Sequence, residues 1–374
     1  MRFAKSERST LGVEWELALV DLETRELAPR GPELLASVGD ERLVGEFLTN
    51  TIELVTGVHR SAASAIAELD ELRGRVVEAS DALGAAPIGS GTHPFSPWRE
   101  QACRPVERYR RVIERSGQWG AQLAIWGVHT HIGIESTEKV APIINGVLAD
   151  YPLIHALAGS SPFWEGEDTT FSSHRSMLFQ QLPTGGLPPE LTTWRDYERV
   201  AHDLLHTGIV EELGELRWDV RPAGRLGTVE LRIADGATRI DDLAAIVALS
   251  HCMVEHCSRE LDAGRRPGHL PQWFVRENKW RAGRYGLDAI IIVDEGGDER
   301  LVTDVLRDRV RDWMPIARDL GCEAELDGVL ALLDRGTSAQ RQREAAARNG
   351  GDLAAVVDHL IDELRLDTAA AALA

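Results

Sequence analysis

Four short stretches of this sequence each carry a charged or reactive residue with a second one two positions along. They are Glu14/Glu16 in LGVEWELALV, His129/His131 in WGVHTHIGI, Asp219/Arg221 in RWDVRP and Glu230/Arg232 in GTVELRIAD. A fifth, TNTIELVTG, holds Glu53 alone among threonines. Side chains of a β-strand alternate between its faces, so residues at i and i+2 point the same way. The opposite face is apolar where the pattern is clearest: Leu11, Val13, Trp15, Leu17 and Leu19 in the first stretch, and Val229, Leu231 and Ile233 in the last. The pattern predicts a sheet with one apolar face and one face of acids, histidines and arginines. Carboxylates gathered on one side of a sheet repel each other unless a cation stands among them. The expectation is therefore a metal-holding reaction site.

The rest of the chain supplies helices to cover the apolar face. Strands are expected over 10–21, 43–56 and 85–89, with ETRE at 23–26 turning the first back into a short partner. A helix should start near Pro32, and residues 61–83 have helical spacing of Ala, Ile, Leu and Val after a serine start. Further helices are expected around 106–118, 138–157, 194–207 and 241–262, with strands at 216–221 and 227–234. From about Asp298 the sequence is nearly all helix-forming, with Thr303 and Gly350-Gly351 as caps, and it ends in an alanine tail. Residues 160–189 read as a long irregular segment, and loops of that length in a compact domain are usually functional or disordered. Its aromatics and Arg175 favour function, and a lid over the site is the role expected of it. These elements predict an α+β fold: an antiparallel sheet with helices on one face and a polar other face. One catalytic domain should span 1–374, with the sheet core over 10–290 and a C-terminal helical part over 298–370.

Composition narrows the function. Acidic residues outnumber basic ones 60 to 41, for a formal net charge of −19. Nucleic-acid binding normally needs the opposite balance, so no nucleic-acid partner is expected. The longest apolar run considered, LAAIVALSHCMV at 243–254, is too short to cross a bilayer and contains a histidine. MRFAKSERST has no apolar signal core, and the 4 cysteines are too scattered for a disulfide scaffold. These features predict a cytoplasmic protein without a membrane partner.

Each candidate residue has a bland reading beside the chemical one. Glu14 and Glu16 fit a solvated strand face or a cation site; recurrence of the pattern at Glu53, His131 and Glu230 favours the cation. Carboxylates with an occasional imidazole suit Mg²⁺ or Mn²⁺, whereas zinc would recruit more His or Cys. His129 reads better as a core histidine or one bracing a ligand, and His131 as a ligand. Glu230 beside Arg232 would put a metal-binding carboxylate next to a fixed guanidinium, the pairing that phosphoryl transfer requires; a cross-strand ion pair is the alternative. Arg175 in SSHRS is either an anion clamp or a solvated loop arginine. There is no GxxxxGK[ST] motif, GSGTHPF at 89–95 is weak evidence for a dinucleotide, and HCMVEHC at 251–257 reads as a buried helix face rather than a metal site.

Taken in order, TLGVEWEL, IELVTG, GTHPF, ERYRR, GVHTHIGI, SSPFWEGEDTTFSSHRS, LRWDVRP, GTVELRI and RYGLDA resemble the bacterial carboxylate–amine ligases of the type 2 glutamate–cysteine ligase family, over roughly residues 10–370. The resemblance implies a glutamine-synthetase-like fold whose curved sheet holds Mg²⁺ (or Mn²⁺) and ATP on its polar face. It implies a ligase forming a carbon–nitrogen bond. ATP would phosphorylate the γ-carboxylate of L-glutamate, and the amine of L-cysteine or another amine would attack the acyl phosphate, as in glutathione biosynthesis. Carried over by motif, Glu14, Glu16, Glu53, His131 and Glu230 would be metal ligands, Arg232 the phosphate-stabilising arginine and Arg175 a substrate-carboxylate contact, with His93 and Trp218 as pocket residues. The family also implies a homodimer. Competing readings are the same chemistry on a different acid or amine, a guanidino kinase of related fold, a metal-dependent amidohydrolase using the HxH pair, and a catalytically silent binding protein.

Overall fold

In the computed structural model residues 3–366 are described. In chain order the strands are β1 (Leu11–Asp21), β2 (Leu43–Gly45), β3 (Thr51–Val55), β4 (Ala85–Ile88), β5 (Gly127–Gly133), β6 (Phe163–Trp164), β7 (Glu167–Asp168), β8 (Val220–Ala223), β9 (Thr228–Asp235), β10 (Ile290–Ile292) and β11 (Glu299–Leu301). A 7-stranded sheet runs β2-β3-β1-β5-β9-β8, with β4 pairing the far end of β1, so that Ala18 stands between Thr51 and Ile88. Every pairing in it is antiparallel. β6–β7 and β10–β11 are separate hairpins.

The apolar face of β1 is buried as its alternation requires: Trp15, Leu17 and Leu19 are each 0% exposed. Against this face pack the helices Ala62–Asp81, Thr137–Leu157 and Ile240–Asp262, their apolar side chains joining those of the sheet in one core. Ser61 opens the first of these helices by accepting from Ser64 N, as its position before the apolar run predicts. The helices Val302–Leu320 and Glu323–Arg335 stack behind Ile240–Asp262 as an outer layer.

Several boundaries differ from the sequence reading. Residues 43–56 do not form one strand, because the chain breaks between β2 and β3, and this break places Glu46 at the sheet's edge. β8 is confined to Val220–Ala223; residues before it run outside the ladder, where Trp218 bridges Gly186. Thr303 is inside a helix rather than its cap, since the helix starts at Val302 after Leu301. The C-terminal part forms β11 and the helices Val302–Leu320, Glu323–Arg335, Ser338–Arg348 and Leu353–Arg365. Residues 367–370 of that expectation, and the alanine tail, lie outside the described residues. The run at 243–254 is not the chain's most membrane-like segment. Thr137–Leu157 is long and apolar enough to span a bilayer, but it carries Pro142 and Pro152 and lies mostly inside the protein, 78% buried over its most apolar stretch.

The segment 160–189 is a fixed strap rather than a free lid. Ser160, Ser161, Ser173, Arg175 and Ser176 are all buried, and the segment contains both the β6–β7 hairpin and the helix His174–Phe179. Asp235 at the end of β9 ties it down, accepting from Ser161 Oγ (2.6 Å), Ser173 Oγ (2.7 Å) and Ser160 N (3.1 Å). The hairpin tip projects, and there Asp168 is held by Arg343 at 2.7 Å.

Because Leu17 lies directly beneath the polar face, Leu17→Ala should destabilise the protein by roughly 2–5 kcal/mol in denaturant unfolding, the range for truncating a buried leucine. Trp273→Ala, at a residue 67% exposed, should shift stability by no more than about 0.5 kcal/mol. Equal effects of the two would contradict the assigned core face.

Candidate active site

The strand register delivers the predicted residues to one place. Glu16 stands opposite Glu53, Glu14 opposite His129, His131 opposite Glu230, and Glu230 opposite Arg221. Neighbouring strands β3, β1, β5, β9 and β8 therefore present a continuous polar strip. Glu14 is its hub: Oε2 meets His129 Nδ1 at 2.8 Å and Oε1 meets His131 Nε2 at 3.2 Å. The other ring nitrogen of His131 bonds Thr228 Oγ1 at 3.0 Å, which fixes the ring with Nε2 toward the acids. Glu230 is 0% exposed, with Arg221 Nε at 2.6 Å, an ion pair to Arg232, and His131 Nε2 at 3.8 Å.

Two sets of donor atoms each gather within 4.8 Å: Glu14, His131 and Glu230, and Glu14, Glu53 and His129. Both share Glu14. His129, read from the sequence as a core or bracing histidine, thus stands within the second set.

The electrostatics are those of crowded acids. Burial, then the charges of Glu14, Glu16 and Glu46, push the Glu53 carboxyl well above the usual carboxylate range. Glu16 is pushed up to about 7, by burial first and Glu46 second, although Gly127 N donates to its Oε2 at 2.5 Å. Glu14 and Glu230 go the other way. Burial opposes their ionisation, but the histidine hydrogen bonds to Glu14 and the guanidinium groups of Arg232 and Arg221 around Glu230 outweigh it. His129 is held down to about 4 by burial and then by Arg232, leaving a neutral ring able to coordinate. At separations of about 5 Å, two like charges cost each other roughly 3 kcal/mol even at an effective dielectric of about 20. A divalent cation would relieve that repulsion. The oxygen-rich donor set, with an imidazole in each group, fits a hard ion such as Mg²⁺ or Mn²⁺.

The arginines form the other half. Arg175 is buried and Arg232 half-buried, and each has an Nε with no partner among the described residues. Arg175 donates to the carbonyls of Arg232 (3.3 Å) and Ile233 (3.5 Å) and lies 4.0 Å from Asp235. It fits only because residue 127 is glycine; a Cβ there would stand 2.1 Å from its guanidinium. Arg175 is thus neither in solvent nor far from the acids, and its charge is among those acting on Glu16.

Two expected pocket residues are corrected. His93 Nε2 bonds Arg25 O at 2.9 Å, and its Nδ1 accepts from Ser96 N at 2.9 Å and Phe95 N at 3.2 Å, so the ring pins its own loop and has no nitrogen left for a ligand. Trp218 is core: it packs edge-on against Tyr197, 6.4 Å between centroids, in a cluster with Ala141 and Leu191. Its neighbour Asp219 pairs with buried Lys279 of the helix Gln272–Tyr285 at 2.6 Å.

Sequence reasoning missed Glu46, which lies past the end of β2, and its Arg108 partner at 3.8 Å. Glu46 lacks an i+2 partner, and only tertiary placement brings it beside Glu16 and Glu53. Arg221 was visible in RWDVRP, but its role as second clamp on Glu230 required the β8–β9 register.

A family model for glutamate–cysteine ligase family 2 matches residues 10–359. The chain belongs to that family. A relative from Clavibacter michiganensis, named "Putative glutamate--cysteine ligase 2", is 49% identical over 368 residues, covering 97% of this chain and 96% of the relative. One from Mycolicibacterium smegmatis, similarly named, is 47% identical over 365 residues and 97% of each chain. Among solved structures, the glutamate–cysteine ligase of Francisella tularensis in complex with AMP superposes with a TM-score of 0.67 at 16% identity, covering 98% of this chain and 91% of that one. A bifunctional glutathione synthetase from Pasteurella multocida gives 0.66 at 15% identity, covering 95% of this chain and 51% of that one. The fold is the glutamine-synthetase-like α+β fold that the sequence predicts.

The raised carboxyls give a signed prediction. In the metal-free protein the folded pKa of Glu16, about 7 against an ordinary 4.5, means its contribution to stability declines as pH rises through that interval. A cation replaces the retained proton, so the gain in Tm on adding Mn²⁺ should be larger at about pH 8 than at about pH 5.5. Thermal melts with and without Mn²⁺ at both values check this; a gain that shrinks with rising pH would contradict the site.

Proposed function

We propose that the protein is an ATP-dependent carboxylate–amine ligase, with L-glutamate as acyl donor and L-cysteine as the leading amine. The observation that supports this most is the convergence of Glu14, Glu53, His131 and Glu230 beside Arg232 on one sheet face. Family membership and the AMP-bound fold neighbour support the nucleotide. A cytoplasmic setting and a role in making glutathione-type thiols are part of this reading.

An unactivated carboxylate does not form an amide in water, because its oxygen leaves poorly. In the proposed reaction a γ-carboxylate oxygen of glutamate attacks the terminal phosphorus of ATP and ADP departs. The amine then attacks the acyl carbon, phosphate leaves with the bonding pair, and the amine loses a proton. Mg²⁺ held by Glu14, Glu16, Glu53, His131 and Glu230 would supply charge neutralisation on the triphosphate.

The chain's own residues do the remainder. Arg232, fixed by Glu230 and carrying a free Nε, would meet the developing charge on the transferred phosphoryl group without reorganising. Glu230 would have two tasks, as a cation ligand and as the group that aims Arg232. Arg175, hydrogen-bonded to backbone carbonyls and only distantly paired with Asp235 at 4.0 Å, would direct its charge to a substrate carboxylate. Water exclusion would fall to the fixed strap and its Asp235 anchors, since that segment does not hinge freely.

Phosphate release with Mg²⁺, ATP and fixed glutamate should depend on one amine of a varied panel. Glu14→Gln and Arg232→Lys should each lower kcat by roughly 100-fold or more, with circular dichroism unchanged. Hydrolysis of γ-glutamyl amides without ATP, or phosphate release independent of any amine, would overturn the reading. Glu230→Gln should abolish turnover too, but it breaks the ion pairs of a buried carboxylate with two half-buried arginines and should also cost about 3–5 kcal/mol of stability.

A further inference from the structure

The helix Ile240–Asp262 carries two cysteines, and one of them has a sulfur partner. Cys252 Sγ lies 4.0 Å from Cys322 Sγ, where this helix packs against Glu323–Arg335. Both side chains are buried and both thiols are free. They belong to the apolar core under the sheet, and neither enters the donor sets of the acidic strip. The other cysteines are placed differently. Cys257 faces Gly146 of the helix Thr137–Leu157, where an added Cβ would stand 2.7 Å from its sulfur, and burial pushes its thiol up. Cys103 is half-buried, bridges Leu48, and has its thiol raised by burial as well.

The two paired sulfurs are not equivalent. Cys252 is in mid-helix, whereas Cys322 follows Gly321, a left-handed residue at φ 64°, in the turn between Val302–Leu320 and Glu323–Arg335. Cys322 caps the N-terminus of the second of these helices, 13 residues long, and its side chain makes no cap hydrogen bond. The positive end of a helix favours a thiolate. Gly321, Glu323 and Ala324 around it are exposed, so this sulfur lies just beneath the surface. The hydrogen bond between the sulfurs is the first cause that lowers the Cys322 thiol below its ordinary value and raises that of Cys252. Burial opposes the ionisation of both; at Cys322, His251 adds to the lowering and Glu325 works against it. His251 Nε2 meets Ser9 O at 2.8 Å, and a carbonyl only accepts, so the ring proton is there and Nδ1 is a bare acceptor in the core. The charge of the pair therefore falls on Cys322, and Cys252 keeps its proton.

We propose that Cys252 and Cys322 are a redox modification site, a dithiol that hydrogen peroxide closes to a disulfide. The Cys322 thiolate attacks one peroxide oxygen; the O–O bond breaks, a sulfenic acid forms on Cys322, and the hydroxide that leaves takes up the proton Cys322 had lost. Cys252 then attacks that sulfur; the S–O bond breaks, the S–S bond forms, and the second hydroxide leaves as water with the Cys252 proton. The dithiol gives up two electrons, the peroxide takes them, and two waters result. Bonded sulfurs stand about 2 Å apart, so the pair must close by roughly 2 Å. The Gly321–Cys322 turn supplies that movement while Cys252 stays in its helix. The bond fastens the outer helix layer to the helix that packs on the sheet, and it does not depend on the ligase reading.

The test is mass spectrometry of the whole protein, reduced, freed of reductant and exposed to hydrogen peroxide, read intact and after proteolysis. The expected result is a loss of two hydrogen atoms per chain, mapped to a peptide joining Cys252 to Cys322 and reversed by dithiothreitol. Cys103→Ser should form the same link and Cys322→Ser should not. The joined peptide is read in the wild type itself, so the result stands whether or not Cys322→Ser folds. The oxidised chain should also melt at a higher temperature, because the bond ties together residues 70 positions apart in the unfolded chain. Both thiols still reduced after an exposure that fully oxidises dithiothreitol would overturn the proposal. So would oxygen added at Cys322 without a link, a link through Cys103 or Cys257, or a lower melting temperature, the mark of a bond forced on the fold.

Discussion

The repulsion among carboxylates on one face of a twisted sheet is the constraint on which the rest of this structure depends. Glu14, Glu16, Glu53 and Glu46 cannot all be charged side by side without a counter-charge, and the protein divides the problem in two. Where imidazoles and guanidinium groups are at hand, at Glu14 and Glu230, the acids stay ionised. At Glu53 and Glu46 burial comes first and raises the carboxyls above the ordinary range, at Glu53 with the neighbouring acids adding to it and at Glu46 against the opposing charge of Arg108. Such a face is poised to exchange protons for metal ions, and that exchange carries the proposed chemistry.

The apolar side of the same strands makes this arrangement tolerable. Trp15, Leu17 and Leu19 alternate with the acids of β1, so each residue that destabilises the polar face is braced by one fully buried beneath it. The strap adds lateral fixation: four hydrogen-bonding or ionic contacts on Asp235 hold the chain that delivers Arg175. Preorganisation of this kind lets charged groups act on a substrate without first moving into place.

Much of the site was legible in the sequence because a β-strand has a period of two. The pairs Glu14/Glu16, His129/His131 and Glu230/Arg232 announce a shared face before any strand is paired, and the register then stacks them. What could not be read depends on tertiary placement. Glu46 has no periodic partner and reaches the cluster because the chain breaks between β2 and β3. His93 and Trp218 sit in suggestive motifs, but which side of the chain a lone aromatic faces is fixed by packing: one ring is consumed by backbone groups of its loop, the other by a small core around Tyr197. The long segment at 160–189 looked free because serines resemble loop residues. In the fold those same serines are the buried donors that fasten it.

The most direct test is a count of bound Mn²⁺ by electron paramagnetic resonance titration at neutral pH, in the wild type and in Glu14→Gln. Because both donor sets include Glu14, the account predicts that the wild type retains tightly held Mn²⁺ and that the single substitution removes it altogether. Unchanged stoichiometry and affinity in Glu14→Gln would contradict it.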